Sequence, residues 1–310
     1  MRKLSIIFFL FICNSGFSQD PLFINSNQSL VYLNPSYAGT NGFIRNQFLF
    51  RDQWPSLSAN YKTLYNSFDA YIKPIHGGLA FSYTHDDQVS ALVTVDAFNL
   101  TYSQHFSFCG KRLKIIPSIQ AGYFVKQLNR AKLNFGDVID PRCSSLWNMY
   151  QVIPNSTKSN FDFSGGLLMS YNHFYFGASI FHFNQPDEGL VGVCKLPYRL
   201  NIHGAYNLII KEKTIIHFFA GYQKQNDFSF LQLGLDAVLF KSFIAGCKYF
   251  NQDAVAANFG YRNNYFTLQT GYDVTISKLA GNTAGSWEFS ASINIRNKDL
   301  RKTLTDIESW

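Results

Sequence analysis

Charge is scarce in this sequence, cysteine is scarcer, and no apolar run is long enough to cross a bilayer as a helix. Only 15% of the 310 residues are charged while 17% are aromatic, against roughly a quarter charged in ordinary soluble domains. Such a surface would aggregate in water and suits lipid. The one marked apolar stretch, Leu4 to Cys13, is about half of the roughly twenty residues a spanning helix needs, so no transmembrane helix is predicted. The five cysteines include no CxxC pair, and the seven histidines (His76, His85, His105, His173, His182, His203 and His217) form no HExxH or other paired spacing. Zinc sites of the common kinds are therefore not expected. GxSxG, P-loop and dinucleotide-binding glycine patterns are missing too. Neither a cofactor, a metal nor an enzymatic activity is predicted. Basic residues are scattered among aromatics without forming a run, which argues against a nucleic-acid partner.

The first eighteen residues read as a targeting segment. Arg2 and Lys3 precede the apolar stretch, and the small residues Gly16 and Ser18 stand where a signal peptidase reads. Without Arg2 and Lys3 the formal charge falls from +7 to +5. Attachment of a lipid at Cys13 is disfavoured by the bulky Ile12 before it. Export to an oxidising compartment permits a disulfide between Cys143 and Cys194, which the strand order below puts on one side of the membrane, with free thiols as the alternative.

From about Phe43 onward, segments of ten or so residues alternate apolar with small or polar side chains. The clearest sets Trp287, Phe289, Ala291, Ile293 and Ile295 on one face against Glu288, Ser290, Ser292 and Asn294 on the other. Leu231, Leu233 and Leu235 stand likewise against Gln232, Gly234 and Asp236. Strands are predicted near 43–54, 62–73, 77–85, 95–108, 111–127, 161–171, 173–183, 197–210, 213–224, 227–240, 241–251, 254–262, 264–275 and 285–296. Connections after even-numbered strands are short; the longest, near 128–160, 184–196, 86–94 and 276–284, follow odd-numbered ones. Tight turns on one side and long loops on the other are the asymmetry of an outer-membrane barrel, whereas a soluble sandwich has no reason to sort its loops. The expected fold is all-β: a transmembrane antiparallel β-barrel of about fourteen strands over 43–296 in the outer membrane of a Gram-negative bacterium, its outer face on lipid. Tyr83, Tyr102, Tyr123, Tyr171, Tyr222 and Tyr261 are candidates for the interfacial girdles.

Two pieces fall outside the pattern. Residues 19–42, rich in Asn, Ser and Pro, are expected to form an irregular periplasmic arm or a plug. The polar tail 297–310 is expected in the periplasm, with a sorting role for Trp310 disfavoured because the last good strand stops well before it.

The order of several short motifs is similar to the PorP/SprF family of type IX secretion system membrane proteins. It starts at Asp20-Pro21 and runs through Tyr32-Leu33-Asn34-Pro35-Ser36-Tyr37-Ala38-Gly39, Arg45, Arg51-Asp52-Gln53-Trp54, Thr63, Ser67, Asp69 and Gly77-Gly78. Leu133-Asn134-Phe135-Gly136-Asp137, Phe161-Asp162-Phe163-Ser164-Gly165-Gly166, Tyr175-Phe176-Gly177-Ala178-Ser179, His182 and Gln185-Pro186 continue it. The resemblance departs at Asp86-Asp87-Gln88, where a glycine would be expected. It implies an outer-membrane component that works with other type IX components, periplasmic ones included, and that exports or holds the C-terminal domain of a secreted surface adhesin, in some cases a gliding adhesin.

Asn34-Pro35 followed by Ala38-Gly39 is a turn signature, expected to seat the arm, with Tyr37, in the barrel mouth or to offer a docking epitope. Arg45, Arg51 and Asp69 lie in the first two strands, where a lipid-facing charge would cost roughly 2–4 kcal/mol. They are expected to face inward as an ion-pair network rather than a substrate site. Trp54 closes the first strand at the outer rim as a girdle residue rather than a ligand platform. His182 is expected to be a hydrogen-bonded lumen histidine. Two rivals to docking remain at this level. One is a porin or uptake channel for apolar solutes; the other is an outer-membrane hydrolase using His182 with a serine and an acid.

Overall fold

Alternation decides the architecture. In the computed structural model, which describes residues 20–42, 44–109, 112–132, 157–190, 192–210, 214–251, 253–277, 280–281 and 283–295, every predicted strand is present. They are β1 (Ile44–Gln53), β2 (Tyr61–Ile72), β3 (Gly77–Gln88) and β4 (Val93–Gln104, resumed after His105 by Phe106–Phe108). Next come β5 (Leu113–Leu128), β6 (Thr157–Tyr171), β7 (Phe174–Phe181), β8 (Arg199–Ile210) and β9 (Thr214–Gln225). β10 (Phe228–Leu239), β11 (Phe243–Phe250), β12 (Ala254–Arg262), β13 (Phe266–Thr275) and β14 (Ser286–Ile295) complete the set. Each pairs antiparallel with its sequence neighbours, and β1 pairs with β14 from Ile44↔Ile295 to Gln53↔Ser286. The sheet is therefore a closed cylinder of fourteen strands with no free edge. Closure matters in hydrocarbon, where each unpaired backbone group costs several kcal/mol. Among the described residues no helix is long and apolar enough to cross a membrane.

The two faces of each strand meet different surroundings. On β14, Trp287, Phe289, Ile293 and Ile295 are exposed outward, while Ser286, Glu288, Ser290 and Ser292 are buried inward. On β10, Leu231, Leu233 and Leu235 point out and Gln232 and Asp236 point in. Leu100, Ile119 and Phe161, more than 60% exposed, belong to the same outer belt, an arrangement stable only against lipid. Outward aromatic rings pair across neighbouring strands, as in Phe174 with Tyr206 (4.4 Å) and Tyr272 with Trp287 (4.5 Å).

Several expected boundaries shift. The connection expected over 86–94 shrinks to Val89–Leu92, because β3 runs on to Gln88 and β4 starts at Val93. Val89, Ser90 and Ala91 all take positive φ (53°, 55° and 60°) in that turn. The tightness that would favour glycine is thus met there by non-glycine residues, each at a cost of about 1–2 kcal/mol. β6 begins at Thr157, earlier than expected, because its upper part pairs with β5 as far as Thr157↔Gln127. The targeting segment 1–18, the stretch 133–156 with Cys143 and therefore the Cys143–Cys194 bridge, and the tail 297–310 lie outside the described residues.

The arm fills the cylinder. Residues 20–42 contain a short α-helix, α1 (Leu30–Leu33), between two 3-10 turns (Ser26–Gln28 and Pro35–Tyr37), and none of them is exposed. Because the short turns face the periplasm, Asp20 sits toward the outer mouth beside the β7–β8 connection, and Gly42 enters β1 at the periplasmic end. The alternative of a periplasmic arm is thereby set aside: the segment threads the lumen from end to end. Its apolar side chains find inward-facing apolar residues of the wall. Phe23 meets Leu49 and Tyr65, Ile24 meets Phe230 and Phe250, and Leu30 and Tyr37 meet Ile116, Leu168 and Tyr175.

Candidate functional site: the plugged lumen and its outer clasp

An irregular segment in a cylinder must satisfy its backbone through the wall, and wall side chains supply what the arm lacks. Glu288 accepts hydrogen bonds from the backbone N–H groups of Ile24 and Asn25, both 2.6 Å, and Lys248 donates to the Ile24 carbonyl (2.9 Å). Ser179 and Asn201 both donate to the Leu33 carbonyl (3.0 and 3.1 Å). Each of these side chains sits on the inward face of its strand and is buried.

The residues singled out by sequence fall in the same contacts. Asn34 caps the second 3-10 turn by accepting from Ser36 N (2.9 Å), and its amide donates to the Leu167 and Ala178 carbonyls (3.2 Å each) on β6 and β7. Pro35 opens that turn and is buried. Tyr37 hydroxyl lies 3.2 Å from His203 Nε2, and their rings stack. Gly39, at φ +68°, donates its N–H to Asp69 (2.8 Å). It can do so because it passes against Gly78: a Cβ on Gly78 would run into the Ala38 carbonyl, and one on Gly39 into the Gly78 backbone. Arg45 grips Asp69 through Nε (2.8 Å) and Nη2 (3.1 Å) and also donates to the Tyr37 carbonyl (3.3 Å). Arg51 pairs with Asp273 (2.6 Å) and Glu288 (3.6 Å). Trp54 stands apart at the outer rim, edge-on to Tyr61 with 6.0 Å between centroids.

At the outer mouth a clasp holds the start of the arm. Asp20 accepts from His182 Nε2 (2.8 Å) and Arg199 Nη1 (2.9 Å), while Asp162 meets His182 Nδ1 (2.9 Å). The Arg199 guanidinium lies over the rings of Phe181 (4.1 Å) and Tyr32 (4.6 Å). Burial disfavours a charged His182, but the Asp20 and Asp162 carboxylates outweigh it and push the imidazole up to about 9. Burial likewise opposes ionisation of Asp20, yet His182 and Arg199 hold its carboxyl well below the usual range. His182 therefore stabilises the clasp fully below its ordinary value of 6.5, and this contribution is lost as pH rises through about 9. Asp20 contributes above its ordinary 3.8 and ceases to as acid protonates it. The thermal midpoint of the detergent-solubilised protein should thus fall as pH rises from about 6.5 to about 9. In His182→Gln the fall should be much smaller, and an equal fall in both proteins would refute the clasp as its source.

Two expectations about chemistry meet this geometry. His182 spends both ring nitrogens on the carboxylates of Asp162 and Asp20, so among the described residues no serine completes a hydrolytic triad there. Ser103 Oγ does lie 3.0 Å from His105 Nε2, but the hydroxyl donates to the Ala38 carbonyl (2.7 Å) and the ring bonds the same oxygen (3.1 Å). Among the described residues no group of three metal-ligating side chains is placed to hold an ion. Sequence reasoning missed Arg199, Glu288 and Lys248 as anchors. Their signal was present: a charge on the inward face of a lipid-backed strand needs a partner.

A family model described as type IX secretion system membrane protein PorP/SprF matches residues 15–293. No curated protein matches the chain significantly. Among solved structures, the toluene transporter TbuX of Ralstonia pickettii superposes with a TM-score of 0.51 at 11% identity, over 87% of this chain and 93% of that one. The Acinetobacter baumannii outer membrane protein Omp33 gives 0.45 at 8% identity, over 81% and 96% respectively. The likeness to TbuX shows the fold alone, that of an outer-membrane barrel. With the family match, it places this protein in the outer membrane.

Proposed function

The chain belongs to the PorP/SprF family of type IX secretion system membrane proteins, and on that premise we propose that it docks a large exported surface protein, an adhesin such as those used for gliding, through protein-protein contacts at the outer face. By its family this is an outer-membrane component of the type IX secretion system. Docking is supported by the arm, which occupies the lumen that a solute channel would need to keep clear. A barrel threaded by its own arm from one mouth to the other offers partners its rims. Asn34, Pro35, Tyr37 and Gly39 are buried against the wall, so docking falls to the longer connections of the outer side, with Trp54 at their base, and to periplasmic components at the short turns.

Deleting the gene tests this reading. Loss of one surface adhesin with other type IX cargo still secreted supports a dedicated docking role. Failure of every type IX substrate would replace it with a part in the general apparatus. Normal secretion of all cargo together with lost uptake of an apolar solute would return the uptake channel to first place.

A further inference from the structure

Between the arm and the wall of β3–β5, under the β7–β8 connection, lies a cavity of about 100 Å³. Its exposed lining is mostly apolar, with Val31 of the arm, Val95 of β4 and Phe124 of β5 among the walls. Four carboxylates face it: Asp20, Asp86, Asp162 and Glu188. Asp20 and Asp162 are balanced by His182 and Arg199, and Glu188 by Lys126 at 3.0 Å. Asp86 has no counter-ion among the described residues. It is only 5% exposed, and its partners are the neutral Thr63 hydroxyl (2.6 Å) and Gln88 amide (2.8 Å). Among the described residues no lysine, arginine or histidine nitrogen reaches it within ion-pair distance. Asp162, 6% exposed, also keeps one buried oxygen without a hydrogen-bond partner.

A buried carboxylate without a counter-ion is expensive, and the cost is removed when a cation arrives. The other walls say which cation. Among the described residues no three His, Cys, Asp or Glu side chains converge to hold a metal ion, whereas an amine at the end of a short alkyl chain would lay its stem along Val31, Val95 and Phe124 and bring its charge to Asp86. We infer that this cavity is a binding site for a primary alkylammonium group, with Asp86 as its counter-ion. Either a lysine side chain of a docked polypeptide or a free alkylamine carries that chemistry. The lysine source rests on the docking function proposed above; the site itself does not.

The test uses the full-length protein in detergent, with n-butylammonium chloride as the probe and n-butanol, of the same shape without the charge, as the control. Butylammonium should raise the thermal midpoint saturably in the wild type, butanol should not, and Asp86→Asn should abolish the response. Asp86→Asn should also raise the midpoint of the unliganded protein, because it removes an unpaired buried charge. A merely structural aspartate would give the opposite sign. An equal response to butanol, or an unchanged response in Asp86→Asn, overturns the site. In cells, loss of surface adhesin from an Asp86→Asn strain with normal barrel levels assigns the cation to a lysine of the cargo. Retained adhesin with the in vitro response intact assigns it to a free amine and leaves the docking proposal untouched.

Discussion

Excising residues 20–42 should turn a barrel that passes almost no current in planar bilayers into one with stable single-channel conductance. Cylinders of about eight strands are filled by their own side chains, while those of sixteen or more leave an aqueous channel. Fourteen strands stand near the upper end of that range, so the lumen is closed here by what lies in it. The wall exposed by the excision is wet: Gln47, Thr63, Ser67, Asp69, Asn201, Gln232, Lys248 and Glu288 all face inward. Ions should pass, with little selectivity, since the freed charges are of both signs. The barrel need not fail with the arm, because every strand retains both neighbours and the sheet retains its closure. Retained heat-modifiable migration on gels would establish that before any current is recorded. Wild-type protein conducting as well as the excised form would show that the arm leaves the lumen spontaneously, and would remove the main support for docking over transport.

Most of the cylinder was legible because the physics of a lipid-backed strand is local. Each wall residue answers to one of two media, and the answer alternates with a period of two. Trp287 to Ile295 could be read in isolation, and so could Leu231 to Leu235. Where reading slipped, a local rule met a long-range demand. The β3–β4 connection was expected over 86–94, but Asp86 is an inward wall residue pairing across to Thr63 and Val95, and the chain then reverses in four residues without a glycine.

The arm was only half legible. Its composition showed that it was no strand, and the Asn34-Pro35 turn was plain, yet nothing local says that Gly39 N–H meets Asp69 or that Ile24 meets Phe250. A fainter signal was available in the wall. Leu49, Tyr65, Ala80, Ile116, Leu168, Tyr175 and Phe230 are apolar residues on faces that otherwise point polar groups into the lumen. An apolar residue on the wet face of a strand implies something dry against it, and together these positions trace the arm's path. The motifs that carried the family resemblance collect on this interface as well: Asn34 to Gly39, Arg45, Asp69, Gly78, Asp162, Gly166, Gly177, Ser179 and His182 all line it.

Asp69→Ala should be the most damaging single substitution in the barrel, lowering stability by about 3–5 kcal/mol. Asp69 is fully buried, and it satisfies two demands at once: the Arg45 guanidinium, itself 2% exposed, and the Gly39 N–H of the arm. Removing the carboxylate leaves a guanidinium enclosed by the arm and the wall, where it can neither reach water nor lose its proton. It also frees the arm at the point where it enters β1. The pair is not strongly stabilising in itself, since desolvation offsets much of its attraction. Its loss is costly because one half remains. The double variant Arg45→Leu/Asp69→Leu should therefore recover a large part of what Asp69→Ala loses, and Asp69→Asn should fall between them by keeping an acceptor for Gly39. Urea unfolding in detergent, followed by tryptophan fluorescence and gel mobility, reads all three. If the double variant were no more stable than Asp69→Ala, the damage would lie in packing and not in the stranded charge.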